Sequence, residues 1–216
     1  LATGAEFRTG GGASWTGPIT LSGAGNISIN VSGLLTLNGP ISGGGSFNKN
    51  GFGTLLFSGS ATNTYTGTTR VSNGTLELNR TSFDGGVSGD LIVEATVRTL
   101  RDSQINNGSD ITLNTGGVHD LGTFIEAVSN VTMTASSVTG TGPLFNLLGS
   151  LTVIGSASEC LITKELRVSN IRTFNIGNGA APVDLRVTGV VSGAAGLIKS
   201  GDGLMGLMSA NTYSGA

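Results

Sequence analysis

The sequence predicts an all-β protein, a parallel β-helix (β-solenoid) whose coils are about 20 residues long. Three observations lead to this prediction: a composition rich in turn formers, short segments that alternate apolar and polar residues, and a fixed interval between them. Gly, Ser, Thr and Asn make up 105 of the 216 residues, whereas only 11% are charged and 5% aromatic. Because 38% of the residues are still hydrophobic, the chain can bury a core and differs from a disordered polar chain.

The composition also excludes several classes of protein. The Ala, Glu, Lys, Leu and Arg background of helical proteins is missing, and four prolines are too few for collagen. The 11 basic and 13 acidic residues are spread thinly, so we expect no nucleic-acid partner. No apolar run is long enough to cross a bilayer, so we expect no membrane insertion by this segment.

Strands are predicted, in chain order, where apolar and polar residues alternate with a period of two, because such a strand buries one face. The predicted strands are 27–31, 35–37, 76–78, 91–93, 111–113, 131–133, 151–153, 174–176 and 185–187. Four of them, from residue 91 to residue 151, begin at steps of 20. At the next step Ile171 fits less well than Phe174, which begins a better apolar-polar-apolar triplet.

Two architectures place short strands at a fixed interval. An antiparallel sandwich would need turn signals every 8–12 residues or so, about half the observed interval. A parallel solenoid makes each interval one coil, so that equivalent strands stack on one another. Equivalent positions of successive triplets keep equivalent residue types, as stacking requires, and this favours the solenoid.

The chain also contains a longer duplication. Residues 41–43 (Ile-Ser-Gly) return as 191–193 (Val-Ser-Gly), and residues 63–65 (Asn-Thr-Tyr) return as 211–213. We predict one continuous β-helix segment over 1–216, with repeat-motif copies at 41–78 and 191–216. Because the chain begins at Leu1, we expect a processed product or a part of a longer polypeptide.

Residues 45–78 resemble the passenger-associated transport repeat (autotransporter-associated β-strand repeat) of autotransporter-type surface proteins. The resemblance is carried by Lys49–Gly59 (KNGFGTLLFSG) and Asn63–Leu76 (NTYTGTTRVSNGTL). A truncated second copy departs from the pattern at Leu204–Leu207, where we expect a weaker strand. The resemblance implies a right-handed parallel β-helix that is secreted or held on the bacterial cell surface.

Few residues are candidates for chemistry. We interpret His119, beside Asp120, as a turn residue, because no third group is placed to complete a catalytic set. We interpret Cys160, in a polar corner, as a small buried or half-buried filler. We expect the carboxylates that coiling brings closest to be corner residues facing water: Asp84, Asp90, Glu94, Asp110 and Glu126. We therefore predict no catalytic residues, no cofactor and no metal.

Two classes of function remain open. The first is a structural extracellular solenoid that stacks end to end on copies of itself, or continues into adjoining repeats, since neither end has a predicted cap. The alternative is an adhesin that binds surface glycans on a side face of the β-helix. Such a site needs aromatic platforms, and Trp15, Tyr65 and Tyr213 lie far apart in the sequence. An enzyme is the least favoured class, and we predict none.

Overall fold

The computed structural model describes residues 6–9, 11–22, 27–142 and 144–215. These residues form strands, turns and connecting segments, and no helix. The strands pair in parallel and stack into a β-solenoid of about nine turns of about 21 residues. The prediction of an all-β parallel solenoid is therefore confirmed, and each of the predicted strands forms.

Two long sheets run along the solenoid, and the described part of each coil contributes one strand to each of them. Strands are numbered in chain order. In sheet 1, from the first described coil to the last, they are β1 (Glu6–Thr9), β4 (Ile27–Val31), β7 (Phe47–Asn50), β9 (Thr69–Val71), β11 (Leu91–Val93), β13 (Ile111–Leu113), β16 (Val131–Met133), β19 (Leu151–Val153), β22 (Arg172–Ile176) and β25 (Leu197–Ser200). In sheet 2 they are β2 (Ala13–Trp15), β5 (Leu34–Leu37), β8 (Thr54–Phe57), β10 (Thr75–Leu78), β12 (Thr96–Thr99), β14 (Val118–Asp120), β17 (Ser137–Thr139), β20 (Cys160–Ile162), β23 (Leu185–Val187) and β26 (Met205–Leu207).

A third side closes the coils, and it is a regular sheet only in part. Its described strands, which we call sheet 3, are β3 (Ile19–Leu21), β6 (Ile41–Gly43), β15 (Glu126–Val128), β18 (Phe145–Leu147), β21 (Leu166–Arg167) and β24 (Val191–Ser192). Between β6 and β15 the third side continues with isolated contacts, such as the bridge between Val87 and Ile105. This interrupted part of sheet 3 leaves room for irregular corners.

The core lies between the three sides and is built from stacked inward-facing columns. Leu91 pairs with Ile111, Ile111 with Val131, and Val131 with Leu151, which confirms the predicted steps of 20. All four side chains are buried. Because each strand buries alternate residues, the outward positions between them are free for Thr and other polar types.

The column continues at Phe174 and not at Ile171. Leu151 pairs with Phe174, whose side chain is fully buried, whereas Ile171 is 62% exposed. This coil is 23 residues long from Leu151 to Phe174. The additional residues are accommodated in corners, which do not have to keep the strand register.

Some corners require glycine because successive coils touch there. A Cβ atom on Gly67 would lie 2.3 Å from the carbonyl oxygen of Gly45, and one on Gly89 would lie 2.2 Å from that of Gly67. Such distances are far below van der Waals contact, so any side chain would push the coils apart. The high glycine content is thus partly a consequence of the stacking itself.

Candidate functional site

The two copies of the repeat motif make the same corner contact. In the first copy, Asn63 Oδ1 accepts a hydrogen bond of 2.9 Å from the backbone N–H of Ile41. In the second copy, Asn211 Oδ1 accepts one of 2.8 Å from the N–H of Val191. In both cases a side chain of one coil satisfies the backbone of the coil before it, so the motif is a device for joining coils.

The lysine of the motif shows what a following coil contributes. Lys49 is fully buried, and its Nζ donates to the carbonyl of Gly51 at 2.7 Å and to that of Asn73, in the next coil, at 2.9 Å. Burial lowers the pKa of Lys49 to about 8. The equivalent Lys199 donates to Gly201 at 2.5 Å within its own coil, and its side chain is exposed.

The strand β26 presents an incompletely covered face. Its inward residues Met205 and Leu207 are half-buried, whereas the residues they pair with, Leu185 and Val187, are fully buried. Burying the rest of such side chains releases about 25 cal/mol per Å² of apolar surface. We call the surface formed by β25, β26 and the Lys199 side chain the end face, and it is the candidate site for contact with another coil.

Buried cations also connect coils inside the solenoid. Arg80 is fully buried at the corner between sheets 2 and 3. Its Nη1 donates to the carbonyls of Asn38, at 2.7 Å, and Ser58. Its Nη2 donates to the carbonyl of Gly39 at 2.7 Å and to Asn63 Oδ1 at 3.0 Å. Burial lowers the pKa of Arg80 to about 10, and it remains a cation at neutral pH.

Lys164 repeats this arrangement farther along the solenoid. It is fully buried, and its Nζ donates to Gly122 O at 3.0 Å and to Thr141 O at 2.8 Å. Burial lowers its pKa, against the opposing effect of nearby carboxylates such as Asp102. Lys164 and Arg80 each reach carbonyls of the two preceding coils, so each cation joins three coils.

Two of the predicted corner carboxylates take part in a ladder of hydrogen bonds. Asp90 Oδ1 accepts the N–H of Asp110, and Asp110 Oδ1 accepts the N–H of Asn130, both at 3.0 Å. Asn130 Oδ1 continues the ladder to the N–H of Ser150 at 2.9 Å. Burial raises the pKa of Asp110, but its hydrogen bonds with Asn130 and Ser129 outweigh this and lower it overall. Asp90 and Asp110 are exposed, as expected.

Glu94 is half-buried and forms an ion pair with Arg70 across neighbouring strands of sheet 1.

The prediction that these carboxylates are corner residues facing water was wrong for Glu126, which is fully buried. Its Oε2 accepts the backbone N–H groups of Gln104 at 2.9 Å and Ile105 at 3.2 Å. Burial raises its pKa to about 8 despite these hydrogen bonds. The alternation in β15 explains the error, because it turns Glu126 to the same side as buried Val128.

His119 is not a turn residue, and that prediction was also wrong. It is the central residue of β14, where it pairs with Val97 on one side and Val138 on the other. Its side chain is fully buried, with Nε2 3.1 Å from Thr99 Oγ1. Burial lowers its pKa to about 4, although Asp120 acts in the opposite direction. His119 is therefore a neutral core residue at neutral pH.

The remaining candidates are separated along the solenoid. Cys160 is fully buried, which confirms its interpretation as a small buried filler residue. It lies in strand β20, however, and not in a corner. Tyr65 is fully buried, Tyr213 half-buried, and Trp15 44% exposed. They belong to different coils and form no common aromatic platform. Sequence reasoning also did not single out two exposed aromatic residues, Phe52 at 89% and Phe83 at 68% exposure.

Two kinds of feature are absent from the part of the chain that the structure describes. Among these residues no helix is long and apolar enough to cross a membrane. The same residues contain no group of three or more His, Cys, Asp or Glu side chains that could hold a metal ion.

Together, the stacked coils and the repeated corner contacts define a β-solenoid repeat protein. Residues 47–78 match the family model described as Passenger-associated-transport-repeat, which confirms the resemblance seen in the sequence. No curated protein and no solved structure matches the chain. The repeat and the fold fit an autotransporter passenger-like repeat protein, and the repeat family implies a secreted or surface location.

Proposed function

We propose that this chain is a rod segment of an extracellular or bacterial surface protein, and that its end face stacks on a further coil. The further coil belongs to a second copy of the chain, which gives a filament, or to adjoining repeats, which give a longer fibre. The role is mechanical and not catalytic. At a rise of about 4.8 Å per coil, the nine or so turns extend roughly 45 Å.

The observation that carries this proposal is the difference between the two motif copies. Lys49 and Tyr65 are fully buried in the first copy, whereas Lys199 is exposed and Tyr213 half-buried in the second. Lys49 donates to a carbonyl of the coil that follows it. A coil placed on the end face would give Lys199 the equivalent acceptor and bury the inward residues of β26.

Self-stacking can be tested with Lys199→Glu, which replaces the expected donor with an acceptor facing backbone carbonyls. Arg167→Glu is the matched control, because Arg167 is an exposed residue on the side of the solenoid and undergoes the same charge change. We expect sedimentation velocity and electron microscopy to show rods longer than one chain for the unmodified protein and the control, and single-chain rods for Lys199→Glu. Head-to-tail contacts of this kind do not close, so they produce filaments.

Two results would contradict self-stacking through the end face. Concentrated unmodified protein that stays a single-chain rod would show that identical copies do not cover the end face. If Arg167→Glu shortened the rods as much as Lys199→Glu, the effect would come from net charge and not from the end face.

A further inference from the structure

A groove of about 440 Å³ opens on the side of the solenoid, beside the interrupted part of sheet 3. It is lined by residues 81–83, residues 101–103 and Ile125, which come from three successive coils. We call it the Phe83 groove. Its volume falls within the range of about 300–1,000 Å³ that is typical of small-molecule sites.

Phe83 gives this groove an apolar platform. Its side chain is 68% exposed, although the chain has few aromatic residues and buries most of its large apolar side chains. Full burial of a phenylalanine side chain is favourable by a few kcal/mol, so an exposed one beside a groove can contribute to binding.

A basic and an acidic side chain line the groove together with Phe83. Arg101 and Asp102 are exposed. The Arg101 side chain makes no hydrogen bond or ion pair with any other residue in the described ranges, so its guanidinium is not already engaged. Asp102 Oδ1 accepts the N–H of Ile125 at 2.8 Å, which orients the carboxylate and leaves its other oxygen for a ligand.

The backbone and the interior of these corners are also unusual. Asp84 and Ser103, in successive coils, both have a φ of 52°, in the left-handed region that residues other than glycine rarely adopt. Buried atoms Ser82 Oγ and Asp84 Oδ1 have no hydrogen-bond partner within the described structure. The Asp84 side chain is half-buried, so it differs from the corner residue facing water that the sequence predicted. Of these three residues, Ser82 and Ser103 line the groove, whereas Asp84 follows Phe83 in the chain and does not line it.

We propose that the Phe83 groove binds a saccharide, with the apolar face of a sugar ring on Phe83 and its hydroxyls bonded to Asp102 and Arg101. A sugar ring carries C–H groups on its faces and hydroxyls that both donate and accept at its edge. A sugar can therefore contact the Phe83 ring, the Asp102 carboxylate and the Arg101 guanidinium at the same time. A phosphate-bearing ligand fits less well, because the Asp102 carboxylate would repel it. This site lies on the side of the solenoid and is independent of end-to-end stacking.

Saturation-transfer NMR of the intact chain with maltose, cellobiose, lactose and N,N′-diacetylchitobiose tests the proposal. We expect at least one of these probes to bind with a dissociation constant in the millimolar range or tighter. Phe83→Ala should weaken that binding about tenfold or more, and so should Arg101→Gln. Both side chains are exposed, so the variants should keep the circular dichroism spectrum of the unmodified chain.

Matched controls separate this groove from general surface effects. Phe52 is 89% exposed in the turn between β7 and β8, and Phe52→Ala should leave binding unchanged. Arg167→Gln, on another part of the surface, should also leave it unchanged. The proposal is overturned if none of the four probes gives saturation transfer at millimolar concentration. It is also overturned if Phe83→Ala binds as tightly as the unmodified chain, or if Phe52→Ala weakens binding equally.

Discussion

Replacing Arg80 with methionine should destabilise the solenoid far more than the same replacement at an exposed arginine. Methionine keeps much of the side-chain volume but removes every donor. The carbonyls of Asn38, Gly39 and Ser58 then lose the guanidinium that binds them, at a buried position for Gly39 and at half-buried positions for the other two. Asn63 Oδ1 keeps its hydrogen bond from the N–H of Ile41.

The expected magnitude follows from these contacts. A buried acceptor left without a partner costs about 1–3 kcal/mol, and three such carbonyls would cost up to about 9 kcal/mol if nothing relaxed. Two effects reduce this sum: the corners can shift toward water, and the buried charge, whose pKa burial lowers to about 10, no longer has to be desolvated. We expect a net loss of about 2–4 kcal/mol in the free energy of unfolding, within the range for a disrupted buried network.

Arg98→Met is the matched control. Arg98 lies on the outer face of β12 and forms exposed ion pairs with Glu77 at 3.0 Å and Asp120 at 3.4 Å. Exposed pairs of this kind contribute about 0.2–1 kcal/mol each, so losing both should cost about 0.4–2 kcal/mol, less than the loss expected for Arg80→Met. Urea unfolding followed by far-ultraviolet circular dichroism gives both values.

Hydrogen exchange measured by mass spectrometry adds the location of the effect, which matters because repeat proteins can unfold in parts. Arg80→Met should accelerate exchange in residues 38–63, and Arg98→Met should not. Equal losses for the two variants, or unchanged exchange in that segment, would refute the interpretation of Arg80 as a bond between coils.

Three further predictions concern other buried groups. Burial raises the pKa of Glu126 from 4.5 to about 8, so the folded chain keeps a proton that the unfolded chain releases. Glu126 should therefore make stability fall by up to about 1.4 kcal/mol per pH unit between pH about 4.5 and 8, and Glu126→Gln should remove this contribution in urea titrations. Burial lowers the pKa of His119 from 6.5 to about 4, so between these values the unfolded chain binds the extra proton. This contribution makes stability rise with pH through that window, where it offsets the opposite contribution of Glu126, so it is measured in the Glu126→Gln background. A double variant that also carries His119→Gln and kept the rise would contradict this assignment. Phe174→Ala should cost about 3–5 kcal/mol by urea unfolding and Ile171→Ala less than about 1 kcal/mol; the reverse order would place the column at Ile171.

The sequence predicted the fold because stacking repeats one local pattern. Each inward position sees the same neighbours in every coil, so residues 91, 111, 131 and 151 carry related apolar types and reveal the coil length. The shift to Phe174 could also be seen, because the better triplet outweighed the exact interval.

The polar interior was beyond sequence reasoning because it depends on corners, which follow no period. Arg80, Lys164 and Glu126 read as ordinary charged residues between strands, yet each binds backbone groups that turn inward where a coil changes direction. His119 was missed because Val118, beside it, was the more obvious inward residue. Phe83 was missed because its exposure depends on the irregular course of the third side.

At this corner of the solenoid, Arg80 and Lys164 bind carbonyls of the coils that precede them in the chain, so the stability of a coil depends on the coils before it. Both side chains draw their acceptors from earlier coils, at residues 38–58 for Arg80 and 122–141 for Lys164. Proteolysis that stripped coils from the amino-terminal direction would leave a charge in the interior without its acceptors. Erosion from the opposite direction would remove the cation first and leave uncharged carbonyls without a donor, so the two directions of degradation expose different unsatisfied groups.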